Sequence, residues 1–187
     1  MTTDRQKSFI ATLNVDDKQM HFLDMFHGEP VYIVNPNFSG GVFTGRPRKL
    51  DHSHFLALRP NTSAPPDLSL TLYFRHAHYG YTLYIRTPGQ HFGKCLSHDN
   101  NLIGAFPPGE ASLFHLVDTL NSTINLDHIQ ADETTIFLRL KNSGLIHAQS
   151  SHHSRHVFIG NKGGLPLPFK LKILERNAPY INHPDEV

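Results

Sequence analysis

An all-β domain is predicted by three observations: short runs of period-2 alternation, turn residues between them, and no stretch with a sustained 3.6-residue period. "FIATLNV" (9–15), "LSLTLYF" (68–74) and "STINLDHI" (122–129) alternate apolar and polar positions as half-buried strands do. Gly80, Pro107-Pro108-Gly109 and Gly163-Gly164 punctuate the chain, and 13 glycines with 13 prolines suit a backbone that turns often. With 187 residues, 39% hydrophobic and 18% charged, the sequence is globular and long enough to bury a sizeable core.

The runs are spaced in threes. An apolar-aromatic-apolar triplet recurs as Val31-Tyr32-Ile33, Leu83-Tyr84-Ile85 and Ile136-Phe137-Leu138, at intervals of 52 and 53 residues. A second element follows each triplet ("FLALRP", "LFHLVD", "FKLKIL"), which sets Leu58, Leu116 and Leu171 at 58 and 55 residues apart. Three pseudo-repeats, 9–60, 68–118 and 122–175 with a tail at 176–187, predict a single β-trefoil domain. One unit cannot bury its apolar face alone; three close a six-stranded barrel capped by hairpins, leaving no free sheet edge. A β-sandwich or jelly roll with coincidental spacing is the alternative.

Within the second unit, "GKCLSHDNNLIGAFPPGEASLFHLVD" (93–118) has a Gly93-Lys94-x-Leu96-Ser97 strand, a polar turn bearing His98, and a closing Ser112-x-Phe114-x-Leu116 strand. This segment resembles a repeat of the β-trefoil superfamily that includes hisactophilin and the fascins. The resemblance implies a trefoil with histidine-rich turns and, of the hisactophilin kind, pH-sensitive binding of actin. The other units share only the apolar skeleton. Ricin-type lectins carry a Gln-x-Trp motif in each repeat, and this chain, without tryptophan, does not resemble them.

Lys plus Arg is 17 and Asp plus Glu is 16, so no bulk charge points to nucleic acid or a membrane surface. The 15 histidines make net charge climb steeply on mild acidification. Cys95 is the single cysteine, which excludes an intramolecular disulfide and a cysteine-rich zinc site; in "KCLS" it reads as a small buried hydrophobe. The N-terminal run is not that of a signal peptide, no segment has the length of a membrane span, and Thr2 stands where myristoylation needs glycine. A cytoplasmic protein is expected, with signal-less export as the one route outward.

Polar turns supply the candidate ligand-binding residues. His98, Asp99, Asn100 and Asn101 form a dense donor-and-acceptor set, with Tyr79 and Phe92 as aromatics able to stack on a sugar. The same Asp-Asn-Asn sequence is also what a tight hairpin prefers. "DHSH" contributes Asp51, His52 and His54; "SHHSRH" contributes His152, His153 and Arg155, and "RHAHYG" pairs His76 with His78. Histidines two apart share a face if extended, which suits a chelate and the outer face of a strand equally. Arg46, Arg48 and Lys49 form the one concentrated basic run. No nucleophile elbow, phosphate loop, dinucleotide turn or zinc-protease motif occurs. The expectation is a non-enzymatic binding protein without metal or cofactor. Glycan recognition through polar hairpin loops leads; pH-dependent binding of actin or another acidic surface follows, then an inhibitor or toxin-type module.

Overall fold

The structure, a computed structural model, describes residues 3–16, 18–35, 38–39, 42–43, 48–60, 69–150 and 156–179. About half of the chain is strand (53%) and little is helix (10%), in agreement with the all-β class. The first third holds β1 (Phe9–Asn14), β2 (Lys18–Phe22), β3 (Tyr32–Asn35), β4 (Phe38–Ser39), β5 (Val42–Phe43), β6 (Arg48–Asp51), β7 (Leu56–Pro60) and β8 (Leu70–Ala77). The middle holds β9 (Gly80–Ile85), β10 (Cys95–Asp99), β11 (Leu102–Phe106) and β12 (Phe114–Val117). The last part holds β13 (Thr123–Ile124), β14 (Glu133–Leu140), β15 (His147–Ser150), β16 (Val157–Gly160) and β17 (Phe169–Arg176). Two short α-helices, α1 (Asp4–Lys7) and α2 (Leu23–His27), flank β1 and β2.

Six strands close on themselves: β1 pairs with β8, β8 with β9, β9 with β12, β12 with β14, β14 with β17, and β17 with β1. Closure follows from the alternation. Phe9, Ala11 and Leu13; Leu70, Leu72 and Phe74; Tyr81, Leu83 and Ile85; and Ile136, Leu138 and Leu140 all point inward from their strands into one buried cluster. Phe114 and Leu116 from β12, with Phe169, Leu171 and Ile173 from β17, complete it. Phe9 stacks on Phe74 at 4.5 Å between ring centroids and meets Tyr81 edge-on at 5.6 Å, an arrangement that aromatic quadrupoles favour. This closed ring takes the place of the two facing sheets of a sandwich.

Among the described residues β3–β6 and β4–β5 are separate, while three two-stranded pairs outside the ring belong to the same sheet as it: β2 with β7, β10 with β11, and β15 with β16. They are stitched together by Leu102↔Gly160 and by Val157↔Leu58. Their junctions are tight. A Cβ on Gly104 would lie 2.7 Å from the His54 carbonyl oxygen, so Gly104→Ala is expected to cost about 2 kcal/mol, read as a lowered midpoint in chemical denaturation.

The triplet Val31-Tyr32-Ile33 does not sit where its counterparts do. Leu83-Tyr84-Ile85 and Ile136-Phe137-Leu138 belong to barrel strands, whereas Tyr32 and Ile33 lie in a separate ribbon, β3 with β6. The corresponding position in the ring is taken by β1. Leu58 likewise belongs to a hairpin strand, while Leu116 and Leu171 are in the ring. The cause is an insertion: β2 and β7 are hairpin partners, yet α2 and the β3–β6 ribbon intervene between them. "STINLDHI" also differs from a full strand. After Thr123–Ile124 the Asn125 side chain accepts from the Asp127 amide, and the chain turns into a single 3-10 turn, Leu126–His128.

Candidate functional site

The insertion creates a cleft. The pairing of β2 with β7 continues past Phe22 through Leu23 N–H to Phe55 O (3.1 Å) and Asp24 N–H to Ser53 O (3.1 Å). These bonds fix α2, and with it Asp24, beside the loop that joins β9 to β10. That loop is clamped at its neck: Gly93 N–H donates to Ile85 O (2.9 Å) and Ile85 N–H to Lys94 O (2.8 Å). Between the two elements opens a concavity of about 730 Å³. Asp24, Tyr32, Asp51, Ser53, His54, Gln90, His91, Lys94 and Phe106 are among the residues that line it.

Its wall is a chain of polar groups. Asp24 and His91 are each only 5% exposed, and His91 Nε2 lies 2.7 Å from Asp24 Oδ2. The Gln90 side-chain amide donates to the same carboxylate oxygen. Lys94 Nζ lies 3.2 Å from His91 Nδ1. A carboxylate only accepts and an ammonium only donates, so His91 is neutral with its proton on Nε2 and a lone pair on Nδ1. Burial holds the His91 imidazole below its ordinary value despite Asp24, which pulls the other way. The ring packs against Phe22 at 4.5 Å. Behind it His21, buried, accepts from the Phe22 amide at Nδ1 (2.9 Å). Its Nε2 and Asp24 Oδ1 are buried without a hydrogen-bond partner among the described residues.

The opposite wall is the turn between β6 and β7. Ser53 N–H donates to Asp51 Oδ1 (2.9 Å), and hydrogen bonds from Ser53 hold the Asp51 carboxyl below the usual range. Ser53 Oγ accepts from Val31 N–H (2.8 Å), tying this turn to the ribbon. His54 packs on Phe55 and Phe106, with centroids at 4.2 and 5.2 Å; burial lowers its pKa. Tyr32, 56% exposed, stands at the rim.

The residues singled out in the sequence separate into groups. Asp51 and His54 line the cleft. His52 is half-buried and packs edge-on against Phe55 (5.2 Å) and Phe158 (5.8 Å). A turn closed by Phe55 N–H to His52 O (3.1 Å) keeps His52 and His54 off a common strand face. His98 bonds the Ser112 hydroxyl (3.0 Å), and Asn100 and Asn101 take the left-handed conformation (φ 47° and 69°) between Asp99 and Leu102. Two such residues are what a two-residue hairpin turn needs, so that sequence serves the turn. Tyr79, 89% exposed, occupies the β8–β9 turn, and Phe92, 44% exposed, carries Arg86 over its ring at 5.0 Å. None of His52, His98, Asp99, Asn100, Asn101, Tyr79 and Phe92 joins Asp51 and His54 in the cleft lining. His152, His153 and Arg155 lie outside the described residues, as does Arg46.

His76 and His78 diverge: His76 is buried and paired with Asp4 at 2.7 Å, while His78 sits in the turn at φ 57°. Among the described residues no three His, Cys, Asp or Glu side chains converge as metal ligands, and no helix is long and apolar enough to cross a membrane. Cys95 is buried, donates to the Phe106 and Pro107 carbonyls, and has its thiol pushed up to about 11 by burial. Asp24, Gln90, His91 and Lys94 escaped the sequence reading. The one signal was Asp24 itself, a lone carboxylate inside the apolar run "HFLDMF", where burial demands a partner. No protein-family model matches the chain, and no curated protein or solved structure does.

Proposed function

We propose that this protein is a β-trefoil that binds glycans in the cleft between α2 and the β9–β10 loop. Six barrel strands and three outer hairpins, with two ring strands and one hairpin in each of 9–77, 80–117 and 133–176, support the trefoil reading. The observation that carries the glycan reading is the cleft lining. Asp51, Gln90 and Lys94 offer planar or charged hydrogen-bonding groups, and Tyr32 offers an exposed ring on which the apolar face of a pyranose can rest. The cleft volume of about 730 Å³ suits a mono- or disaccharide. The His91 ring nitrogens are both engaged by neighbours.

A glycan array at pH 7.4 and pH 5 tests this reading. Binding is expected at pH 7.4, weakened about tenfold by Tyr32→Ala, a substitution at an exposed position of the ribbon. An array without hits at either pH would sink it and turn attention to the actin or acidic-surface alternative, for which co-sedimentation at pH 6 and pH 8 is the assay.

A further inference from the structure

A second concavity, of about 440 Å³, shares no lining residue with the cleft. It is built on the outer face of β12. Phe114 and Leu116 point into the barrel, so His115 between them points out, and in register it faces Arg139 of β14. Lys141 follows two positions after Arg139, its backbone N–H donating to Leu113 O (2.9 Å). The β8–β9 turn adds His78 and Tyr79. It is pressed hard onto β12, because a Cβ on Gly80 would lie 2.7 Å from the Phe114 carbonyl oxygen and 2.9 Å from Leu113 Cγ.

Thr123, Asn142 and the Tyr79 hydroxyl are neutral, and the remaining polar groups are all basic. His78, His115, Arg139 and Lys141 line the pocket and no acidic side chain does. Elsewhere on the barrel, exposed cations have carboxylate partners: Lys170 with Asp16, Lys172 with Glu133, Arg176 with Asp132. Among the described residues neither Arg139 nor Lys141 has one. Arg139 is instead oriented by a neutral group, its Nη2 donating to Asn121 Oδ1 at 3.0 Å, which leaves the rest of its fork unengaged by acid. Asp118, at the end of β12, turns Oδ1 to the amides of Leu120 and Ser122. His115 Nδ1 lies 3.1 Å from the Tyr79 carbonyl oxygen, so the proton is on Nδ1 and Nε2 is left as an acceptor, able to take a hydroxyl proton of a ligand.

We propose that this pocket is a binding site for a sulfate or phosphate monoester borne on a sugar-sized body. The guanidinium fork and the ammonium bind the tetrahedral oxyanion, His115 Nε2 accepts from a hydroxyl of the body, and the exposed Tyr79 ring supports it. The proposal stands independently of glycan binding in the cleft, since it uses other residues.

The test is titration of the full chain with galactose 6-sulfate, galactose 6-phosphate, galactose, inorganic sulfate and inorganic phosphate, followed by calorimetry and by histidine NMR signals. At least one ester is expected to bind about tenfold or more tighter than galactose and than its inorganic ion, and to move the His78 and His115 signals. The ester preferred identifies the source of the oxyanion. Arg139→Gln and Lys141→Gln are each expected to weaken that ester about tenfold, and Lys141 is exposed enough that its substitution leaves the fold intact. The proposal is overturned if the esters bind no tighter than galactose or the inorganic ions, if neither variant changes the affinity, or if the esters move His54 and His91 instead. In that last case the anion belongs to the cleft.

Discussion

Acidification from pH 7 to pH 4 is expected to remove about 3 kcal/mol of folding stability through His21 alone. Burial pushes this imidazole from its ordinary 6.5 down to about 4; Asp24 opposes the shift and His91 adds to it. The folded protein therefore keeps His21 neutral over a range in which the unfolded chain takes up a proton. Because the unfolded state binds more protons, stability falls as pH falls. The contribution is fully present above pH 6.5, is lost progressively below it, and is gone by the folded-state value near pH 4. His52, His54, His91 and His156 are shifted in the same direction, all chiefly by burial, and reinforce the trend.

His21→Phe isolates the effect. A phenyl ring retains the edge-on contacts with Phe22 (5.5 Å) and Phe26 (6.3 Å). It removes both the buried Nε2 that has no partner among the described residues and the Nδ1 acceptor of the Phe22 amide, the latter a loss that does not vary with pH. Unfolding free energies from urea denaturation across pH 4 to pH 7 are expected to fall about 3 kcal/mol less in the variant than in the native chain. Parallel curves would assign the acid sensitivity to the other histidines.

Barrel strands were legible where alternation ran long. β8, β14 and β17 each have eight residues in which three of the four alternate positions are apolar, and turn residues bound them. The first third of the chain was misleading because an insertion imports its own strand-like triplet, Val31-Tyr32-Ile33, at nearly the repeat spacing. Spacing alone does not distinguish a ring strand from a ribbon; what distinguishes them is closure, a long-range property. Tyr32, with 56% exposure, never enters the core that Leu83 and Ile136 define. The cleft was harder still. Asp24 and His91 are 67 residues apart, in different thirds of the chain, and meet because hairpin register and a clamped loop bring them together. Histidine abundance drew attention to exposed turns such as His98 and Asn100. Of the histidines at the cleft, His54 belongs to such a cluster, whereas His91 and, behind it, His21 are isolated in sequence and buried in the fold.

Asp24→Ala is expected to cost about 3 kcal/mol, the other large effect. The carboxylate accepts from both His91 and Gln90 at one oxygen. Their fates differ on its removal. Gln90 is exposed and can turn its amide to water, whereas His91 is enclosed, with Phe22 on its face and Lys94 at its other nitrogen. Its Nε2–H is left as a buried donor with nothing to accept, and that stranded group accounts for most of the loss. Asp24→Asn retains one carbonyl oxygen for His91 and is expected to cost only about 1 kcal/mol, so the two variants separate a missing acceptor from a missing charge. Both should be compared by urea denaturation at pH 7.5, where His21 and His91 are neutral in folded and unfolded chains alike and no protonation difference intrudes. If Asp24→Ala costs less than about 1 kcal/mol, His91 has found another acceptor and the cleft wall does not depend on this pair. If Ala and Asn cost the same, then the negative charge, set against Lys94 through the imidazole between them, is what holds α2 to the β9–β10 loop.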